Sequence, residues 1–412
     1  MAADSSLRSV DEHLKQVLDS IAPLAAYDHP LLDAVGLPVV EDVVSELDLP
    51  RFDNSAMDGY AVVHRDVAEA SERSAIHLPV VGESAAGSSK PYAMAPGTAI
   101  KIMTGAPLPS GADAVVPIEW TDGGRAQVQI RRAPALDQHV RHAGEDVRAG
   151  DVVLAAGTTI GPRETGLLAA IGRNSIRARP RPRVVVMSTG DELRDPGTSL
   201  DYDSIYDSNS FLLAAAVKSA GAIAYRVGLV SDDPGEFSEA LSDQLVRADI
   251  VVTSGGVSKG DYDVVKDVLS RLGTVEFCEV GMQPGKPQGF GHVGEDRTPI
   301  FTLPGNPVSA FVSFEVFVLP ALRRMMGRLP YRRPLVQARL TTQVRSIPGR
   351  RAYMRANFEV TGHGARVTPV GGTGSHLIGD LAQSNALLLV EPDGVNRGPG
   401  EVVNVLVLDR EF

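Results

Sequence analysis

Between Arg183 and Met326 short apolar runs alternate with helix-forming stretches, and this alternation constrains the fold more than any other feature of the chain. Val184-Val185-Val186-Met187, Tyr225 to Val230, Ile250-Val251-Val252-Thr253, Val275 to Val280 and Ile300-Phe301-Thr302-Leu303 read as strands. Helices are expected after Asp207-Ser208-Asn209-Ser210, over Glu236 to Val246, over Val264 to Leu272, and from Pro307 to Met326. Strands this continuously apolar are buried on both faces. The segment therefore predicts a mostly parallel sheet with helices on each side. In such sheets ligands bind beyond the carboxyl ends of the strands.

Four loops of one composition fall at those ends. They are Ser188-Thr189-Gly190-Asp191-Glu192, the run from Thr253 through Ser254, Gly255, Gly256 and Ser258 to Asp263, Pro284-Gly285-Lys286-Pro287, and Leu303-Pro304-Gly305-Asn306-Pro307-Val308-Ser309. Glycine lets backbone N–H groups approach an anion, and Ser and Thr hydroxyls add donors. One such loop is simply a tight turn, but four on one sheet edge argue for a phosphate or another oxyanion. Gly255 and Gly260 have the separation of a Walker A motif, yet Asp261 stands where lysine is needed, and no Gly-x-Gly-x-x-Gly opens the segment. An ordinary ATPase or dehydrogenase is disfavoured.

Carboxylates recur beside these loops: Asp191, Glu192, Asp207, Asp261 and Asp263. Upstream, Asp58 and Glu145-Asp146 also lie in Gly-containing loops. Hard oxygen ligands next to a phosphate pocket suit Mg²⁺, which takes one or two carboxylates plus substrate oxygens. Asp before a helix is also a routine N-cap, and Asp207 fits either role. His139 and His142 are three apart with no further His or Cys nearby in sequence, which favours a solvated or structural role over metal binding.

The rest of the chain has a different texture. Ser9-Val10-Asp11-Glu12 is a capping box opening a helix to about residue 21. Residues 51–145 carry short β-type runs among Gly, Pro and Ser clusters, residues 163–172 look helical, and residues 331–412 return to short β runs. The basic, proline-containing stretch from Arg177 to Arg183 reads as a linker. A length of 412 residues predicts two to four domains. The net charge of −11 disfavours a nucleic-acid partner. The single Cys278 excludes an intramolecular disulfide and a Cys-based zinc site. No signal peptide opens the chain and no run of about 18 apolar residues occurs, so no membrane partner and a cytoplasmic location are expected.

Six motifs in order then carry a resemblance: Phe52-Asp53-Asn54-Ser55-Ala56-Met57-Asp58-Gly59-Tyr60-Ala61-Val62, Lys101-Ile102-Met103-Thr104-Gly105-Ala106, Gly144-Glu145-Asp146, Thr189-Gly190-Asp191-Glu192-Leu193, Ser254-Gly255-Gly256-Val257-Ser258 and Leu303-Pro304-Gly305-Asn306-Pro307-Val308-Ser309. Over nearly the whole chain the sequence resembles the molybdopterin molybdenumtransferases, the MoeA-like molybdenum insertases related to the E domain of gephyrin. The resemblance implies a multidomain α/β protein. Its parts would be an elongated α/β N-terminal portion from residues 1–50 and 146–180, a β-rich insert over 51–145, a MogA-like α/β molybdopterin-binding domain over 181–330, and a small C-terminal β-barrel over 331–412. It implies a transferase that takes adenylylated molybdopterin and molybdate, inserts molybdenum, and releases AMP, with Mg²⁺ as cofactor. It also implies a homodimer whose active site lies at the subunit interface, with molybdopterin adenylyltransferase and apo-molybdoenzymes as transient partners.

Carried over by motif, Asp58, Thr104, Arg141, Asp146, Glu192, Asp207 and Asp263 match functional positions. Asp58 and Thr104 would come from the partner's side of the cleft, and Arg141 would offer a cation to an oxyanion. Glu192 and Asp263 would hold the metal. Ser188, Thr189, Gly190, Ser254, Gly255, Gly256, Ser258, Lys286, Pro304, Gly305, Asn306, Pro307 and Ser309 would bind substrate, with Lys286 on the terminal phosphate or molybdate and Ser309 donating to an oxyanion. Two departures stand out. Gln283 precedes Pro284-Gly285-Lys286 where many relatives have lysine, which removes one cation, and Asp261 stands where several have glutamate. Two other readings compete. A molybdopterin adenylyltransferase shares the α/β domain but is usually shorter and lacks the Asp58 and Thr104 motifs. A dimeric peptide-binding scaffold would not need the carboxylates beside the loops.

Overall fold

A computed structural model of the chain describes residues 7–87, 93–256, 264–271, 275–394, 396–410 and 412. Helix α1 (Val10–Ser20) begins where the capping box places it: the Ser9 hydroxyl accepts from the Glu12 amide at 3.2 Å, and the Glu12 carboxylate accepts from the Ser9 amide at 2.9 Å. Such a cap is worth about 1 kcal/mol. The chain divides into two compact units, residues 29–35 with 41–176, and residues 1–28 with 36–40 and 177–412.

The unit formed mainly by residues 41–176 is built on a five-stranded sheet. Its strands β1 (Gly59–Val62), β2 (Ile76–Ser84), β3 (Ala99–Ile102), β4 (Ala114–Pro117) and β5 (Gln127–Ile130) lie in the order β4-β1-β3-β2-β5. Only β2 and β3 run parallel. Tyr60, Val62, Ala114, Val116, Val128 and Ile130 form its core. Helix α2 (Pro162–Ala170) has proline in its first turn, and the Glu164 carboxylate accepts from the Gly161 amide at 2.9 Å.

The second unit contains the α/β sheet. Its elements are β6 (Arg183–Ser188), α3 (Asn209–Ser219), β7 (Ile223–Arg226), α4 (Pro234–Leu245), β8 (Ile250–Ser254), α5 (Val264–Arg271), β9 (Val275–Glu279), β10 (Pro287–Val293) and β11 (Thr298–Leu303). The strand order is β7-β6-β8-β11-β10-β9. Val184, Val186, Ile250, Val252, Phe301 and Leu303 face α1, α3 and the helical run after β11. Val185, Met187, Val251 and Ile300 face Phe237 and Leu241 of α4 and Val265 and Leu269 of α5. Both faces are thus buried, which is why the strands are uninterrupted apolar runs. The run after β11 comprises α6 (Pro307–Ser313), a π-helical segment (Phe314–Val318) and α7 (Leu319–Met326).

Three expectations change. β10 is a strand the pattern concealed, because Pro287, Gly289 and Gly291 break its apolar period; it runs antiparallel to both β9 and β11. The strand expected to reach Val230 ends at Arg226, and Val230 pairs separately with Thr189. The stretch from Arg177 to Arg183 is packed rather than free. Ala178 is fully buried and bridges Val39, Arg179 donates to the Leu24 carbonyl, and Arg181 donates to the Gly221 carbonyl at 2.9 Å. Arginine and proline read as linker composition, but here the guanidinium groups serve backbone acceptors.

Beyond α7, strands β12 (Leu335–Leu340), β13 (Arg351–Thr361), β14 (Gly364–Pro369), β15 (Ala386–Val390) and β16 (Val402–Val407) pair in the order β13-β14-β12-β16-β15. β15 pairs back onto β13, so the sheet closes into the small barrel expected. Closure removes the free edges, which is how a small sheet avoids pairing with other chains.

His13 on α1 is 2% exposed and meets the Phe317 ring edge-on at 4.8 Å. Burial, helped by the charge of Arg8, pushes its pKa from the ordinary 6.5 down to about 4. Between those values the unfolded chain binds the extra proton and the native state does not. The neutral ring's contribution is therefore whole above pH 6.5 and is lost as pH falls through about 4, an effect of about 3 kcal/mol. His13→Gln should flatten the acid limb of the stability curve, measured by urea midpoints at neutral and acid pH. An unchanged acid slope would contradict the assignment.

Candidate active site

The described ends of all four loops lie at one edge of the α/β sheet. β6, β8 and β11 are parallel, so Ser188, Ser254 and Leu303 end side by side in register. The third loop arrives by another route than the parallel pattern implied. It joins β9 to the antiparallel β10, and Glu279 opposite Pro287 puts that turn at the same edge.

In the first loop, Ser188 is 1% exposed and its hydroxyl has no hydrogen-bond partner among the described residues. The Glu192 carboxylate folds back over Gly190, where a Cβ would lie 2.6 Å from Oε2. Only glycine leaves the carboxylate there. The Asp191 and Asp232 side chains each accept from the other's backbone amide, at 3.2 and 3.3 Å. In the second loop, the Gly255 amide donates to the Leu303 carbonyl at 3.1 Å. Asn209, at the start of α3, donates to Ser254 Oγ at 2.7 Å and to the Gly305 carbonyl at 2.6 Å, tying the second loop to the fourth. Ser258 and Asp263 lie outside the described residues.

A cavity of about 400 Å³ opens among the second, third and fourth loops. Gly255, Gly256, Pro284, Lys286, Gly305 and Ser309 line it, together with Asn306 at the start of α6 and Thr373 and Ser375 from the loop after β14. This size fits a small-molecule site. Lys286 is the one cation among its described lining residues, and its ammonium is 2.8 Å from a Glu279 carboxylate oxygen. Thr373 and Ser375 escaped the sequence reading, although Gly371-Gly372-Thr373-Gly374-Ser375 has the same composition as the four loops. Pro304 and Pro307 flank Gly305 and Asn306 in the loop that enters α6, and proline at the first helical position sacrifices no hydrogen bond.

Asp207 is used as a cap. It is 1% exposed, accepts from the Ser210 amide at 3.0 Å and from the Ser210 hydroxyl, and stands 3.7 Å from Arg226. It is not among the cavity-lining residues, and neither are Ser188, Thr189, Gly190 and Glu192 of the adjacent strand end.

The other unit holds four predicted residues. Asp58 accepts at Oδ1 from the Thr104 amide at 2.7 Å and from the Thr104 hydroxyl at 2.8 Å. Those two donors hold the exposed Asp58 carboxyl below the usual carboxylate range. Arg141 is exposed on a short strand paired with Asn54–Ser55, and the exposed Asp146 donates its amide to the Leu49 carbonyl at 2.9 Å. His142 stands between Asp53, at 3.4 Å, and Asp137, at 3.9 Å. Among the described residues no group of three His, Cys, Asp or Glu side chains is placed to hold a metal.

The fold is that of a multidomain α/β protein with glycine-containing loops gathered at one edge of its central sheet. Family models described as the MoeA N-terminal region (domain I and II), a probable molybdopterin binding domain and the MoeA C-terminal region (domain IV) match residues 8–172, 185–324 and 337–408. The chain belongs to the MoeA family. It is 45% identical over 406 residues to molybdopterin molybdenumtransferase 2 of Mycobacterium tuberculosis, covering 97% of this chain and 99% of that one. It is 35% identical to the molybdopterin molybdenumtransferase of Haemophilus influenzae, over 91% of this chain and 92% of that one. Two crystal structures of molybdopterin biosynthesis MoeA protein from Pyrococcus horikoshii superpose with TM-scores of 0.83 and 0.77, at 29% and 30% identity, over 98% and 97% of this chain and 100% of each of theirs.

Proposed function

We propose that this chain inserts molybdenum from molybdate into adenylylated molybdopterin and releases AMP, a step of molybdenum cofactor biosynthesis. Membership of the MoeA family supports the transferase class, and the Lys286 cavity at the sheet edge is the observation that carries the chemistry. Cleaving a phosphoanhydride needs fixed donors where charge develops. Ser254, Gly255, Gly256, Gly305 and Ser309 would supply neutral donors, and Lys286 the cation that meets the terminal phosphate or molybdate. Ser188, Thr189 and Gly190 would continue the grip along the edge, as would Ser258 beyond the described residues.

Glu192 fits a metal role, since Mg²⁺ needs only one or two carboxylates beside substrate oxygens. It would hold Mg²⁺ with Asp263, and the ion would neutralise phosphate charge. Asp207 then acts by capping α3 and fixing the edge. We place Asp58, Thr104, Arg141 and Asp146 of one protomer against the α/β domain of a second, in a cytoplasmic homodimer with the four-part division 1–50 with 146–180, 51–145, 181–330 and 331–412. Molybdopterin adenylyltransferase and apo-molybdoenzymes would be transient partners. Among the described residues no helix is long and apolar enough to cross a membrane.

The test is anaerobic incubation with adenylylated molybdopterin, molybdate and Mg²⁺, following AMP release and reconstitution of an apo-molybdoenzyme. Both should rise together and depend on molybdate. Consumption of ATP with bare molybdopterin instead would favour the adenylyltransferase reading. The family matches on both sides of the central domain speak against that reading.

A further inference from the structure

The loop carrying Lys286 is held from behind by two buried side chains. Gln288 is 2% exposed and Ser313 is fully buried. Gln288 Nε2 donates to the Gly285 carbonyl at 2.6 Å and to Ser313 Oγ at 2.7 Å. A carbonyl can only accept, so the amide orientation is settled. Gly285 stands at φ +95°, and a Cβ there would lie 2.9 Å from Ser313 Oγ. Lys286 follows directly, and its own carbonyl accepts from the Val280 amide at 2.7 Å. Ser313 lies one turn beyond Ser309 on α6, and residues four apart share a helix face. The helix that brings Ser309 to the cavity thus also braces the back of the Lys286 loop.

We propose that Gln288, anchored by Ser313, is a positioning residue that sets where the Lys286 ammonium stands relative to Ser309 and the glycine loops. The inference rests on reading Lys286 as the anion grip. Gln288 is buried behind the loop and does not line the cavity. A lysine side chain is long and flexible, so its reach to an oxyanion depends on where its backbone is held. A misplacement of about 1 Å weakens a charge-assisted contact to bound substrate, which is read as a raised KM.

The test compares Gln288→Met, Gln288→Glu and Lys286→Met in the whole chain, with KM and kcat measured for the adenylylated pterin. Gln288→Met should raise KM about tenfold and change kcat by less than about threefold. Gln288→Glu discriminates between roles: protonated, its hydroxyl can donate to the Gly285 carbonyl, and ionised it cannot. Its KM should return toward the parent value as pH is lowered, while the offset of Gln288→Met stays constant. A merely structural residue would not move KM with pH in folded protein. Parental KM in both Gln288 variants, with a raised KM in Lys286→Met, overturns the proposal and leaves the site reading standing. Parental KM in Lys286→Met as well means the site reading itself has failed. Should the Gln288 variants not fold, Ser313→Ala removes one hydroxyl and should raise KM about threefold; parental KM there is also fatal.

Discussion

Replacing Gly59 with alanine should unfold the β-rich unit, at a cost of about 4 kcal/mol. Gly59 opens β1, which is paired on both sides, to Ile102 of β3 and to Pro117 of β4. A Cβ at this position would lie 2.0 Å from the Val116 carbonyl oxygen and 2.9 Å from its carbon. Those are backbone atoms of the neighbouring strand β4, so no rotamer change relieves the clash. The strand must part from a neighbour and strand its hydrogen bonds. Gly123 is a useful contrast: it has φ +71° but nothing within 4 Å of a Cβ, so Gly123→Ala should cost only about 1 kcal/mol. Denaturant midpoints of the two variants measure the difference, and equal midpoints would show that the close approach at β1 does not matter. Asp58 immediately precedes Gly59, so the Gly59 variant should also lose activity.

Lys286→Met should lower kcat/KM for the adenylylated pterin by about two powers of ten, chiefly by raising KM, the usual loss when a charge-assisted contact to bound substrate is removed. The fold should barely respond. The Lys286–Glu279 pair is 30% and 29% exposed, and pairs of that kind contribute at most about 1 kcal/mol. Steady-state kinetics beside a melting curve therefore separate function from stability. A variant with parental kcat/KM would remove the cation from the mechanism. Gln283 lines the same cavity and holds no charge, so no second ammonium there stands ready to compensate.

Local pattern was enough for several elements. The Ser9–Glu12 capping box located the start of α1, and the uninterrupted apolar runs at Val184, Ile250 and Ile300 identified strands buried on both faces. Helix caps and side-chain period are set by residues a few positions apart, so they can be read along the chain. The glycine and serine loops after those strands marked the edge where the cavity opens. Asp207 fits cap or ligand by local pattern alone, and only the folded arrangement spends its carboxylate on Ser210 and Arg226.

Other features depend on residues far apart in sequence. The reversal of β10 brings Lys286 to the strand ends, and it is set by register with Thr298–Leu303 and Val275–Glu279 rather than by any local signal. The barrel closes because β15 finds β13 some thirty residues earlier, and the same closure delivers Thr373 and Ser375 to the cavity. Gln288 looks unremarkable in sequence and becomes a brace only where Gly285 and Ser313 meet it. Amino-acid order by itself determined the elements and the chemistry carried at their ends. Which ends meet was decided by the burial of both sheet faces and by long-range strand pairing, because hydrogen-bond register and packing are properties of distant neighbours brought together.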